Sequence, residues 1–223
     1  MAAHQVKIPA DDAVLEGLLV LPAGTQCLVL FAHGSGGSRL SPHNGYVAEA
    51  LRAAGMGALL VDLMTGQEDQ AHATRFEGQL LTHRLLAATL WAMEDPRTRD
   101  LDLAYFGGGT GVAAVLQTAA ELGTKIRAVV ARGGRTVLTA DTLDKVRSPT
   151  RLIVGGRDEA ALDLNRQTYA QLQVEAELVI IPGAGHLFEE PGALEEVARL
   201  AVEWFRRHLS AGTRAGGAHH PTG

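Results

Sequence analysis

A glycine-rich turn, an aspartate and a histidine are the residues of this chain whose types and order could do chemistry together. The turn lies in LDLAYFGGGTGVAAVLQTAAEL, where an apolar strand pattern gives way to a helical one across Gly107-Gly108-Gly109-Thr110-Gly111. Strand, sharp turn and helix in that order form the setting of G-x-S-x-G. Its outer glycines let two backbones come close, and its central residue presents a nucleophile. Gly107 and Gly111 fill the outer positions, and Gly109 stands where the nucleophile is expected. The apex of such a turn holds φ > 0, which glycine adopts without steric cost, so Gly109 relaxes the turn and removes the hydroxyl in one step. The other reading of such a turn, a dinucleotide phosphate cradle, lacks the second half of its fingerprint. It would also fall on a strand that is not the first of its sheet.

Asp158 follows an apolar run in Gly155-Gly156-Arg157-Asp158, and His186 follows another in Gly183-Ala184-Gly185-His186-Leu187-Phe188. A histidine takes a nucleophile's proton when a buried carboxylate fixes its tautomer and stabilises the imidazolium. Asp163 lies near enough in sequence to compete with Asp158 for that part. Upstream, Phe31-Ala32-His33-Gly34-Ser35-Gly36-Gly37-Ser38 closes another strand, and His33 is expected to shape this loop without exchanging protons. Thr110 is the nearest hydroxyl to the apex, but one position beyond it, where its side chain should point away from His186. Cys27, the single cysteine, excludes an internal disulfide and reads as a small buried hydrophobe in CLVLFA. His72 and His83 read as solvated residues on or just before a helix. No metal site is expected, because they lack carboxylate partners at ligand spacing.

In chain order, the His-Gly loop, the elbow frame, the Gly-Gly-Arg-Asp turn and the Gly-His loop resemble the dienelactone hydrolase-like branch of the α/β-hydrolase superfamily. The resemblance covers almost everything from Val14 to His208. It implies catalytic positions at Gly109, Asp158 and His186, and an oxyanion hole from the N–H groups of Thr110 and Ser35 in which His33 and Gly34 help shape the loop. It also implies a small ester or lactone as substrate, and no cofactor. Both oxyanion donors are main-chain groups, so Gly109 should leave the hole chemically intact. Authentic dienelactone hydrolases use a cysteine nucleophile, and Cys27 is on the wrong strand to replace it. Three readings follow. One is a hydrolase whose serine has been lost, by engineering or by natural degeneration. A second is a weak hydrolase in which His186 activates water. The third is a non-catalytic protein that binds a small ligand in the old acyl pocket.

These loops need a sheet to position them. Strands are expected at Val6–Pro9, Val14–Leu21, Cys27–Ala32, Gly57–Val61, Leu101–Phe106, Ile126–Ala131, Thr150–Val154 and Glu177–Ile181, separated by helical patterns at Val47–Ala54, Gly78–Met93, Val112–Leu122, Leu162–Leu172 and Leu194–His208. Such alternation predicts an α/β-hydrolase fold: a mostly parallel eight-stranded sheet, helices on both faces and a minimal cap. The domain is expected to span residues 1–209, with 210–223 a small, polar tail in which His219 and His220 are solvated. With 46% hydrophobic and 20% charged residues among 223, one soluble domain is the natural reading. The net charge of −5 comes without a basic stripe, which argues against nucleic acid as a partner. Nothing resembles a signal peptide or a membrane span, so a cytoplasmic protein is expected. A homodimer is compatible with the chain, though no motif specifies one.

Overall fold

The computed structural model describes residues 3–11, 13–33, 39–65, 68, 77–134 and 138–209. The predicted Ser35 and Gly34, together with His72, His219, His220 and the tail, lie outside the described residues. Eight strands form one sheet: β1 His4–Ala10, β2 Ala13–Val20, β3 Cys27–His33, β4 Gly57–Val61, β5 Asp102–Gly108, β6 Ile126–Arg132, β7 Thr150–Gly155 and β8 Ala176–Ile181. Their order is β1-β2-β4-β3-β5-β6-β7-β8. β1 pairs antiparallel with β2 and β2 antiparallel with β4, while every other pairing is parallel. The burial patterns account for this. β1 alternates exposed and buried residues, as a one-sided hairpin strand does, whereas β3, β4 and β7 are buried throughout, as parallel strands covered on both faces must be.

Six described helices supply that cover: α1 Pro42–Ala53, α2 Glu77–Glu94, α3 Gly111–Leu122, α4 Ala140–Lys145, α5 Glu159–Gln171 and α6 Ala193–His208. One apolar cluster joins Leu28, Leu30 and Tyr105 of the sheet to Leu81 and Leu85 of α2 and Val115 of α3. The other joins Val29, Phe31 and Phe106 to Leu51 of α1 and Trp204 of α6. Alternate residues of one strand thus feed opposite cores, the period of two expected of a β-strand. The polar end of the buried Tyr105 is satisfied by a 2.7 Å hydrogen bond to Thr89 of α2.

The described segment between β6 and β7 holds only α4, six residues long. Its sequence pattern was not read as a helix, yet the signals are present. Thr139 caps it by accepting from the Thr142 N–H at 3.3 Å, and Lys145 pairs with Asp141 one turn earlier at 2.6 Å. Among the described residues, no helix is long and apolar enough to cross a membrane, and no cluster of three His, Cys, Asp or Glu is placed to hold a metal ion.

Candidate active site

The turn from β5 into α3 is made possible by its flanking glycines. A Cβ on Gly111 would lie 2.3 Å from the Ala32 carbonyl oxygen of β3, and one on Gly107 would lie 2.7 Å from Val115 Cγ2 and 3.1 Å from the Gly111 oxygen. No side chain fits at such separations, so strand and helix can meet only through glycine. Between them, Gly109 occupies the apex with φ 57°, and a Cβ there would meet nothing within 4 Å. Its N–H donates to the Arg132 carbonyl at 3.2 Å and its carbonyl accepts from Val112 at 3.2 Å. Thr110, exposed, is the residue from which α3 starts.

On the neighbouring strand ends, Asp158 and His186 meet. His186 Nδ1 donates to Asp158 Oδ2 at 2.6 Å, with the carboxylate side chain 3% exposed and the imidazole 36%. The other carboxylate oxygen, Oδ1, accepts from the Ala161 N–H at 3.3 Å and so caps α5. One aspartate therefore starts a helix and orients a ring, and the cap restricts its rotamer. With Nδ1 committed to the carboxylate, Nε2 is the ring nitrogen left to act, and it has no hydrogen-bond partner among the described residues. Asp163, the competing candidate, is an exposed side chain that pairs with Arg166 at 3.5 Å.

The two loops are held against each other by main-chain contact. A Cβ on Gly155 would fall 2.4 Å from the Gly185 carbonyl oxygen, and the Arg157 N–H donates to the Ala184 carbonyl at 2.9 Å. Glu190 Oε2 accepts from the Gly185 N–H at 3.0 Å, while its other oxygen takes the Arg157 guanidinium. That backbone donor, first, then Glu190's own N–H and Arg157 hold the Glu190 carboxyl below its ordinary range. Glu190 lies four residues past His186. It was not singled out in the sequence, where an acidic residue in a polar loop carries no distinctive signal.

His33 is buried at the end of β3, in register with Gly108 of the elbow strand. Its Nε2 lies 3.8 Å from Asp62 Oδ1, and Asp62 also accepts from the Arg39 N–H at 2.6 Å and from the Arg39 guanidinium. This network fixes the described start and end of the His-Gly loop. Cys27 begins the same strand at the opposite end of the sheet, and burial pushes its thiol up to about 11. His83, read as simply solvated, contacts the Asp11 carboxylate at the β1–β2 turn.

Arg132 is the residue that sequence reasoning passed over. It ends β6 in register with Gly108, and its guanidinium lies 5.6 Å from the centre of the Phe188 ring. An apolar strand, Ile126–Ala131, ending on a charged side chain at the sheet's functional edge was the available signal.

Residues 4–200 match the profile described as the alpha/beta hydrolase family, and the chain belongs to that family. Within it the chain falls in the dienelactone hydrolase-like branch. A dienelactone hydrolase from Anabaena variabilis ATCC 29413 is 47% identical, superimposes with a TM-score of 0.90 and covers 93% of this chain and 98% of its own. Est1E from Butyrivibrio proteoclasticus shares the fold at 19% identity and a TM-score of 0.80, over 94% of this chain and 100% of its own. Proteins of two Mycobacterium tuberculosis strains, CDC 1551 / Oshkosh and H37Rv, provisionally named phosphoribosyl transferases, are 46% identical over 206 residues. The match covers 92% of this chain and 46% of theirs, so the chain spans less than half the length of these relatives.

Proposed function

We propose that this chain is an acyl-hydrolase domain for small ester- or lactone-like substrates, in which Asp158 and His186 form the acid–base pair and Gly109 leaves the nucleophile's seat without a side chain. The observation that carries this reading is the 2.6 Å bond between His186 Nδ1 and the buried Asp158, which leaves Nε2 without a partner among the described residues. A hydroxyl at position 109 would lose its proton to Nε2 as its oxygen attacks the acyl carbonyl, and the imidazolium would return that proton to the departing alcohol. Water would then release the acyl group by the same route in reverse. In the chain as it stands, His186 can activate only water, and turnover is correspondingly slow. The N–H groups at the start of α3 are the donors we assign to the developing oxyanion. The transferase name of the mycobacterial relatives is not carried over. It describes proteins more than twice this length, and the Asp158–His186 geometry favours acyl hydrolysis.

Gly109→Ser tests the reading directly, assayed on short acyl esters and five-membered lactones. The variant should exceed the parent by on the order of 10²-fold or more, because the missing side chain is the nucleophile itself. A folded Gly109→Ser protein with no gain across several acyl lengths would overturn it and leave ligand binding as the function of the site.

A further inference from the structure

Among the described residues, Arg84, Arg132 and Arg151 carry guanidinium groups wholly or largely enclosed by protein, and two of them are matched. Arg84, 2% exposed, pairs with Glu68, and Arg151, 3% exposed, pairs with Glu177 and Glu203. Arg132 has no carboxylate partner among the described residues. Its Nε and Nη1 are buried without a hydrogen-bond partner, and it forms no ion pair with any described residue. Its one described partner is the face of Phe188, itself wholly buried and held at φ 58°, a conformation an aromatic residue rarely adopts. Burial alone lowers the affinity of this guanidinium for its proton.

A charge taken out of water with nothing to balance it is among the costlier features a fold can carry, and such groups are ordinarily paired. The position of Arg132 indicates what would pair it. The guanidinium lies against Gly108, one residue before the elbow apex, where a Cβ would meet Nη2 at 3.3 Å and Nε at 3.7 Å. On its other side Phe188 follows His186 by two residues. Nη2 is the guanidinium nitrogen that is not sealed in. Arg132 is tied to the apex through its main chain, whose carbonyl accepts from the Gly109 N–H at 3.2 Å, and nothing described stands within 4 Å of a would-be Cβ on Gly109.

We propose that Arg132 anchors an anion-binding subsite beside the elbow, which takes an oxyanion group, carboxylate or phosphate, of the ligand that enters the site. Nη2 would donate to an oxygen of either group, and the largely enclosed, weakly hydrated setting strengthens the charge-assisted bond. Gly108 leaves the room for it. The subsite stands on Arg132 alone and does not depend on acyl hydrolysis, so the two assays fail independently.

The full chain is titrated with sodium phosphate and, separately, sodium acetate, with sodium chloride holding ionic strength constant, by calorimetry and thermal melting. At least one anion should raise the melting temperature of the parent. Arg132→Met should lose that response, bind at least about tenfold more weakly, and melt no lower than the parent in chloride, since it replaces a partly buried charge that no described carboxylate balances with an apolar chain. A response to phosphate alone assigns a phosphate-bearing ligand, and one to acetate alone assigns a carboxylate. The proposal is overturned by equal responses in parent and variant, by no response in the parent, or by a folded Arg132→Met that melts lower in chloride. If Arg132→Met does not fold, Gly108→Ala, which sets a methyl against Nη2, decides: a weakened response sustains the subsite and an unchanged one removes it.

Discussion

Gly109 and Gly111 are two residues apart in one turn, yet a methyl group on the first would meet nothing within 4 Å while one on the second would sit 2.3 Å from a carbonyl oxygen. The same contrast extends across the site. Around the apex every approach is tight: β5 against α3, β3 against the start of α3, and the Gly155 turn against the Gly185 loop. The apex itself is open. Crowding preserves a backbone path because each neighbour forbids change in the others, whereas an open position is constrained only by the chemistry asked of it. Packing thus fixes the frame and leaves the apex free.

The largest effect that sharpens this contrast lies in the acid–base pair. In a Gly109→Ser background, His186→Ala should remove the gained esterase activity, a loss on the order of 10²-fold or more, because serine without its base is a weak nucleophile. In the parent the same change should alter the slow turnover far less. Equal losses in the two backgrounds, measured by initial rates on one ester, would show that His186 does not serve position 109.

Next in size is the response of the glycines. Gly111→Ala and Gly155→Ala should each cost about 3 kcal/mol, lowering Tm by roughly 6–12 °C for a domain of this size, since backbone must shift to admit the methyl. Gly109→Ala should cost only about 1 kcal/mol, the strain of a positive φ with no clash. Thermal melts of the three variants side by side decide it. Similar losses at all three positions would erase the distinction between frame and apex.

All eight strands were legible in the sequence: the central parallel strands, buried on both faces, read as unbroken apolar runs, β1 and β2 as an N-terminal pair, and the turns carry glycine and proline. Helix starts were less so. α5 begins at Glu159 and α1 at Pro42, each several residues before the first strongly apolar position of its stripe. There the cap, Asp158 or a proline in the first turn, sets the boundary, and hydrophobic periodicity does not report it. Asp158 was picked out for its place in a turn, and its second task as the α5 cap emerges only in three dimensions. Arg132 and Glu190 escaped for the same reason. What distinguishes them is the presence or absence of a partner far along the chain, which spacing cannot express.

The smallest predicted effect concerns the clamp that steadies the histidine loop. Glu190 is held below the ordinary carboxylate value of 4.5, chiefly by the Gly185 N–H and further by Arg157. A carboxyl whose folded value is depressed contributes stability in full above its unfolded value, and loses it as pH falls through the folded one. Glu190→Gln keeps an oxygen for the Gly185 N–H but gives up the charge facing Arg157, so the variant should melt slightly below the parent near neutral pH. As pH falls below about 4.5, the parent's Glu190 takes up its proton and the gap should close, while the remaining carboxylates titrate alike in both proteins and cancel. Melting temperatures of the pair, taken from neutral pH down to about pH 3, give the comparison. A gap that stays constant over that range would mean that the charge on Glu190 does not hold the loop, and that main-chain packing between Gly155 and Gly185 alone keeps His186 beside Asp158.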